Sequence, residues 1–267
     1  MSKLLGIGSA LLDELCFVPE EFLNTVRGEK GGMELVDKDE LQAVIANLPE
    51  KPYRAPGGSA ANSVVGIASL GGETAFLTKV GSDDAGRFYR EAMETAGVDT
   101  SRFKVNPQEP SGCCLSLITP DAQRTMRTFL GAAATLEQAD IAALDFEGIS
   151  LVHLEGYLLF NRDLMEHVLK LAQSNGCRIC VDLAAPEVVN SAMDILPDWL
   201  GKYVDIVLAN EDEAAAFSGL EDEAGALACL AGYCSTAVVK RGARGAFIRT
   251  EQETVDVPAF HVDSKDT

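Results

Sequence analysis

The sequence predicts an α/β fold in which a mainly parallel central sheet has helices on both faces. Short apolar runs alternate with helical patterns along nearly the whole chain, the order expected of parallel strands joined by helices. At 267 residues the chain is long enough to bury a large core. Ligands of such sheets bind beyond the carboxyl ends of the strands, so polar residues that follow strands are the first functional candidates.

Apolar periodicity sets the expected order of the elements. The predicted strands are residues 4–8, 74–80, 151–154, 178–183, 205–208, 236–240 and 246–249. The predicted helices are residues 59–70, 84–96, 162–174, 211–218 and 222–233.

Two stretches interrupt the alternation. Residues 11–36 and 112–130 have strand patterns without intervening helices, and the second predicts a hairpin that turns at 119–123. We therefore expect a small β-sheet projecting from the main domain. Since no repeat, low-complexity tract or linker divides the chain, residues 1–267 are expected to form a single domain.

The charge balance restricts the partners. With 22 basic and 41 acidic residues the net charge is −19, which argues against nucleic acid and anionic membrane surfaces as partners. ATP is still compatible, because a phosphate site needs only local donors and a metal. No apolar run is long enough to span a bilayer, and a cytoplasmic location is expected.

The cysteines and histidines give little sign of metal or redox chemistry. Seven cysteines, an odd number in apolar contexts, are typical of a reduced intracellular protein. Cys177 and Cys180 have C-x-x-C spacing, but they lead into a predicted strand, whereas a redox pair opens a helix. The three histidines are too dispersed in sequence to indicate a ligand cluster.

A glycine-rich segment precedes the predicted helix at 59–70. Gly57 and Gly58 permit backbone angles and close approaches that other residues forbid. Ser59 is placed to cap the helix, and Asn62, one turn in, offers a donor and an acceptor to the same space. The segment therefore predicts either a ligand-binding concavity or a loop that merely starts a packed helix.

Polar residues follow two of the predicted strands. Asp13 follows the first strand and could accept hydrogen bonds from two neighbouring hydroxyls of a sugar ring; an exposed turn acid is the alternative. Asn210 followed by Glu213 has the spacing of a helix capping box. Gly6 and Gly8 do not form a dinucleotide fingerprint, because the third glycine and its helix are absent.

The glycine pair with Asn62 is followed by Gly81, Asp83 and Gly86, and then by a helical stretch that ends in Gly97-Val98-Asp99. In this order and spacing the segments resemble the ribokinase-like, or PfkB, family of sugar and nucleoside kinases. The resemblance continues through Asn210 and residues 240–245 and covers essentially the whole chain.

The resemblance implies ATP-dependent phosphotransfer to a primary hydroxyl of a sugar or ribonucleoside. By analogy the acceptor is held by Asp13, Gly57, Gly58 and Asn62, and Arg124 contacts phosphate as a β-sheet lid closes. A solvated strand arginine is the alternative for Arg124. The Arg124 segment is similar to the adenosine kinase-like branch, but Ser9 stands where that branch often has Asn, so fructokinase- and ribokinase-like acceptors stay open.

The family also implies a nucleotide site. Asn210, Gly242 and Gly245 would border the nucleotide, Glu213 would organise Mg²⁺, and Lys240 stands where many members have Thr. Part of the family is activated by K⁺. The lid covers substrate, and in some members it forms a dimer interface, so a monomer and a lid-mediated homodimer are both expected.

The family pattern stops at the end of the sequence. Asp266-Thr267 matches the start of a motif whose later Asp is the catalytic base, and neither Asp263 nor Asp266 is assigned that role. We expect the base beyond Thr267 and a chain truncated at its C-terminus. The alternative function is a non-catalytic sugar- or nucleoside-binding protein. A dehydrogenase is disfavoured because no complete dinucleotide fingerprint is present.

Overall fold

The computed structural model describes residues 3–261, which divide into two compact units at residue 140. The first unit contains strands in the order β1 (Lys3–Ile7), β2 (Leu11–Phe17), β3 (Met33–Leu35), β4 (Tyr53–Gly57), β5 (Thr74–Leu77), β6 (Lys79–Gly81), β7 (Val98–Asp99), β8 (Lys104–Asn106), β9 (Gly112–Ile118) and β10 (Arg124–Phe129). Its α-helices are α1 (Lys38–Ala46), α2 (Ser59–Ser69) and α3 (Asp84–Thr95).

Parallel pairing in the first unit joins β1 to β5 and β5 to β7. A five-stranded sheet, called here the small sheet, has the order β3-β10-β9-β2-β4. Its β9 and β10 form the predicted hairpin, with Arg124 opposite Ile118. One face of the small sheet packs against α1, where Leu41 joins Cys16, Leu115 and Leu117 in a buried cluster.

The second unit contains β11 (Ile149–Glu155), β12 (Arg178–Asp182), β13 (Ile206–Asn210), β14 (Thr236–Lys240), β15 (Ala246–Thr250) and β16 (Thr254–Val257). Its helices are α4 (Arg162–Ser174), α5 (Pro186–Ala192), α6 (Leu196–Tyr203), α7 (Glu211–Ser218) and α8 (Glu223–Leu230). The strands β11 to β14 pair in parallel, and β15 and β16 continue the sheet antiparallel. Fully buried aliphatic side chains, among them Val152, Val181 and Val207, fill its core.

Several local predictions need correction. The strand predicted at 74–80 is two strands in different sheets, divided at the buried Thr78, whose hydroxyl accepts a hydrogen bond from the amide of Ala10. The N-cap of α2 is Gly58 and not Ser59, and no side chain caps that helix. The stretch 11–36 includes a 3-10 turn at Glu20–Thr25.

Candidate functional site

In the first unit, the end of β4 lies against the Asp13 side chain. A Cβ atom added at Gly57 would overlap the Asp13 carboxylate, so only glycine fits there without displacing it. The carbonyl of Gly57 accepts a hydrogen bond of 2.7 Å from the hydroxyl of Tyr89, which is buried on α3. The β4 backbone is therefore held from α3 while it contacts the carboxylate.

The next residues turn the chain into α2. Gly58 has φ of +105°, and a Cβ there would overlap the carbonyl oxygen of Ser9. Both the backbone angle and the lack of space therefore require glycine. The backbone amide of Asn62 donates a hydrogen bond of 2.9 Å to the Gly58 carbonyl, and the Asn62 side chain is exposed in the first turn of α2. The sequence thus brings Asp13, both glycines and the start of α2 together.

Arg124 lies on the same face of the small sheet as Asp13 but is not its register neighbour. Asp13 is opposite Cys114 on β9, whereas Arg124 is opposite Ile118 on β10. Burial raises the pKa of the Cys114 thiol, the Asp13 carboxylate raises it further, and the Arg124 guanidinium lowers it. The charges of Asp13 and Arg124, which lie on different strands, therefore both affect the Cys114 thiol.

The motif of Gly81, Asp83 and Gly86 connects several elements through hydrogen bonds. Asp83 is the N-cap of α3 and accepts from the amides of Gly86 and Ser111, both at 3.0 Å, and from the Ser111 hydroxyl at 2.7 Å. Burial opposes ionisation of Asp83, but these hydrogen bonds prevail and lower its pKa. The Ser111 hydroxyl also accepts from the Gly81 amide at 2.9 Å, so this motif fastens β6, α3 and the start of β9 together.

In the second unit, polar residues end adjacent parallel strands. Asp182, Asn210 and Lys240 are the last residues of β12, β13 and β14. Asn210 and Lys240 are register partners, and Lys240 Nζ lies 2.7 Å from Asp182 Oδ2. These side chains therefore meet at the carboxyl edge, where the fold class predicts ligands.

Asn210 and Glu213 form the predicted capping box. The Glu213 amide donates to Asn210 Oδ1 at 2.8 Å, and the Asn210 amide donates to Glu213 Oε2 at 2.7 Å. Glu213 is only 2% exposed, and burial raises its pKa, while the nearby Lys240 opposes this effect. The predicted role of the pair as a helix cap is therefore observed, and a role in ligand binding would be additional to it.

The turn after β14 is held by its own charges. Gly242 and Gly245 have φ of +53° and +89°, and a Cβ at Gly245 would overlap the Val257 carbonyl. Arg241 stacks on the ring of Phe247 and pairs with Asp256. These contacts fix the turn next to Lys240.

Within residues 3–261, no group of three or more His, Cys, Asp or Glu side chains converges to hold a metal ion. No helix in this part of the chain is long and apolar enough to cross a membrane. Asp263, Asp266 and Thr267 lie outside the described residues.

Sequence reasoning overlooked Asp182 and the anchors Tyr89 and Ser111. Asp182 carried a usable signal, since it follows a buried apolar run at the end of a predicted strand. Tyr89 and Ser111 carried none, because their side chains contact backbone groups distant in sequence, the Gly57 carbonyl and the Gly81 amide.

The geometry agrees with comparisons to known proteins. Residues 23–267 match the family described as pfkB family carbohydrate kinase. This chain belongs to the pfkB family of carbohydrate kinases. The predicted family and fold class are therefore confirmed.

Two relatives and one solved structure show which kinases this chain is similar to. A ribokinase of Haemophilus influenzae is 27% identical over 224 residues, which are 79% of this chain and 69% of that protein. An adenosine kinase of Dictyostelium discoideum is 31% identical, over 80% of this chain and 64% of that protein. The crystal structure of adenosine kinase from Sinorhizobium meliloti superposes with a TM-score of 0.86 at 28% identity, covering 98% of this chain and 81% of that one.

Proposed function

We propose that this pfkB-family chain binds a sugar or ribonucleoside and serves transfer of the γ-phosphoryl group of ATP to a primary hydroxyl. The observation that carries the proposal is the Asp13 carboxylate, held at the end of β4 where Gly57 leaves it room. A carboxylate accepts hydrogen bonds from two adjacent hydroxyls, and an acceptor without these hydroxyls would not form them.

The acceptor side is assigned to Asp13, Gly57, Gly58 and Asn62. Gly57 leaves room for the carboxylate, and Gly58 lets the backbone pass the Ser9 carbonyl. Gly58, the N-cap of α2, has no side chain to cap the amides of the first turn, and the exposed Asn62 adds a donor and an acceptor. This set orients an acceptor by its hydroxyls.

The nucleotide side is assigned to Asn210, Lys240, Gly242 and Gly245. Lys240 is the cation of the strand-end group, and its side chain is 45% exposed, so it is accessible to a phosphate. The glycines of the turn let a nucleotide approach the backbone closely.

Kinases of this family use ATP with Mg²⁺. Glu213 and Asp182 fit a metal held through water and phosphate better than a direct protein cage, because described carboxylates do not converge and Glu213 is occupied by its cap. When bound, Mg²⁺ would neutralise phosphate charge. Activation by K⁺ stays a prediction, as does a cytoplasmic location.

Arg124 is assigned a phosphate contact from the small sheet acting as a lid. It shares the Asp13 face, and it is half-buried at the start of β10. Phosphoryl transfer needs mainly positioning and charge neutralisation, which an arginine supplies in a dry site. The base that takes the hydroxyl proton is not assigned among residues 3–261.

The oligomeric state stays open between a monomer and a lid-mediated homodimer. The face of the small sheet that carries Cys16 and Leu115 is already covered by α1. A face-to-face contact between lids would therefore use the Asp13 face, whereas an edge-to-edge contact would use β3 or β4. Light scattering distinguishes a monomer from a dimer.

The test is titration calorimetry with adenosine, ribose and fructose, combined with an assay for ADP release in Mg·ATP. We expect at least one acceptor to bind and Asp13→Asn to weaken it by about tenfold or more, because a charged hydrogen-bond acceptor is lost. Acceptor affinity unchanged in Asp13→Asn, or binding of none of the three, would contradict the acceptor assignment. ADP release that depends on the acceptor would support transfer.

A further inference from the structure

The chain passes between the small sheet and the rest of the first unit at four points. It enters the sheet at Leu11, leaves after Gly57, enters again at Gly112 and leaves after Phe129. Leu11 is opposite both Gly57 and Gly112 in the strand register, so these three residues form one row, called here the base row. Asp13 is two residues further along β2, about 7 Å from this row. The position of the base row therefore sets the position of the carboxylate.

Two fully buried side chains hold the backbone at the base row. The Ala10 amide, just before Leu11, donates to Thr78 Oγ1 at 2.9 Å. The Tyr89 hydroxyl donates to the Gly57 carbonyl at 2.7 Å. Thr78 is 0% exposed and Tyr89 is 1% exposed, so water does not compete for either hydrogen bond. The first entry to the sheet and the first exit from it are both fixed in this way.

Asp83 holds the third crossing point. Its two carboxylate oxygens accept from the amide and the hydroxyl of Ser111, the residue before Gly112, at 3.0 Å and 2.7 Å. The fourth crossing is joined to the third by the backbone, because the Ala132 amide donates to the Pro110 carbonyl at 2.8 Å. The second entry and the second exit are therefore held together, and Asp83 fixes the entry.

Thr78, Asp83 and Tyr89 belong to one short segment, residues 78–89, called here the anchor segment. It begins between β5 and β6 and ends within α3, outside the small sheet. The ring of Tyr89 packs beside the ring of Phe103, with 6.2 Å between the ring centroids, and this contact keeps its hydroxyl in place. One segment of the first unit thus fixes three of the four crossings.

We infer that Thr78, Asp83 and Tyr89 are positioning residues for the acceptor site, acting through the base row on the Asp13 carboxylate. The inference rests on the proposed function and adds to it residues outside the acceptor set. Tyr89 has the most direct effect, because it holds the Gly57 carbonyl and Gly57 lies against the carboxylate without space for a Cβ. A displacement of about 1 Å can remove much of the benefit of a positioned group.

The alternative is that these hydrogen bonds only stabilise the fold. In that case their loss would lower the unfolding temperature and leave the acceptor affinity of the folded protein unchanged. Two substitutions separate the possibilities. Tyr89→Phe removes the hydroxyl and keeps the ring that packs beside Phe103. Thr78→Val removes the oxygen that accepts from Ala10 and keeps a branched side chain.

The first test is amide hydrogen exchange of the full chain without ligand. We expect Tyr89→Phe to speed exchange severalfold in peptides that cover β2 and β4, and to leave α4 in the second unit unchanged. Tyr203→Phe, which removes the hydroxyl of a buried tyrosine on α6, is the matched control and should leave β2 and β4 unchanged. An equal increase in both units of Tyr89→Phe would indicate general destabilisation and overturn the inference.

The second test is titration calorimetry with adenosine, ribose, fructose and Mg·ATP. We expect an acceptor that binds the unchanged protein to bind Tyr89→Phe and Thr78→Val about fivefold more weakly or worse. Mg·ATP affinity should be unchanged, and the unfolding temperature should fall by no more than about 4 °C. Tyr203→Phe should leave every affinity unchanged.

The outcomes distinguish this inference from the proposed function. Acceptor affinity unchanged in both variants, with binding still weakened in Asp13→Asn, would overturn the positioning role and leave the acceptor site intact. Equal losses of acceptor and Mg·ATP affinity would also overturn it, since the effect would not be confined to the base row. Failure of all three acceptors to bind the unchanged protein would contradict the acceptor site and overturn this inference with it.

Discussion

Lys240 Nζ lies 2.7 Å from Asp182 Oδ2, and the ion pair connects the carboxyl ends of β14 and β12 across β13. The Asp182 carboxylate raises the pKa of Glu213 and Lys240 lowers it, although burial is the larger cause of the shift. Lys240 is therefore the group that offsets a local excess of negative charge where the nucleotide is proposed to bind.

Removing this cation should affect nucleotide binding more than stability. Lys240→Met is expected to lower the free energy of unfolding by less than about 1 kcal/mol, because the lysine is 45% exposed and the pair is screened. Under the proposed assignment it should weaken Mg·ATP binding by about tenfold, measured by calorimetry. Lys170→Met, which breaks a surface pair with Glu166 on α4, is the matched control. Equal Mg·ATP affinities in the two variants would rule out the Lys240 assignment.

Glu213 should produce a distinct pH dependence of stability. Its pKa is raised above the ordinary 4.5 in the folded state, so the folded state binds the proton more tightly than the unfolded state does. The stabilising contribution of Glu213 is therefore present below pH 4.5 and is lost as the pH rises through the folded-state pKa.

Glu213→Gln should remove that slope, because the amide does not titrate and its oxygen still accepts from the Asn210 amide. Urea unfolding at several pH values from 4 upwards measures it, with the exposed Glu221→Gln as control. A slope retained in Glu213→Gln and lost in Glu221→Gln would show that another group titrates.

Two glycine-to-alanine substitutions distinguish an effect on acceptor binding from an effect on stability. Gly57→Ala should displace the Asp13 carboxylate and reduce acceptor affinity by about tenfold or more, since its Cβ has no room. Gly66→Ala on α2 meets no atom within 4 Å, and it should stabilise the protein by roughly 0.5–1 kcal/mol without affecting binding. Thermal unfolding and acceptor titration measure both, and equal acceptor affinities in the two variants would contradict the expectation.

Asp83 should matter more to stability than an ordinary helix cap. Asp83→Ala removes the cap of α3 together with both hydrogen bonds to Ser111, so we expect a loss of about 2 kcal/mol or more. Asp37→Ala removes the cap of α1, a single exposed bond to the Glu40 amide, and should cost about 1 kcal/mol. Chemical denaturation measures the difference, and equal losses would show that Ser111 is held by other contacts.

The elements that sequence reasoning found are those whose own pattern is strong. The helix α4 and the hairpin of β9 and β10 were predicted to within about a residue, because their periodicity is local. The strand β4 was missed, since it contains Pro56 and lacks alternation. It is a strand only because it pairs with β2 at the edge of the small sheet, where proline is tolerated.

The cap of α2 illustrates a second kind of error. Ser59 has the right chemistry for an N-cap, but the chain needs a positive φ at Gly58 to pass the Ser9 carbonyl, and the helix therefore starts one residue earlier than the cap assignment requires. Backbone contacts of this kind leave no trace in residue type alone.

The sequence by itself determined the alternation of the strongly patterned strands and helices, the family, and the candidate residues Asn210 and Lys240 at strand ends, because periodicity and motif spacing are properties of adjacent residues. Only the tertiary structure decided that Gly57 contacts Asp13, that Lys240 pairs with Asp182, 58 residues earlier, and that Ser116 on β9 lies opposite both Leu15 on β2 and Met126 on β10. The physical reason is that strand register and side-chain packing are set by the whole core, and a shift of one residue would move every one of these side chains to the opposite face.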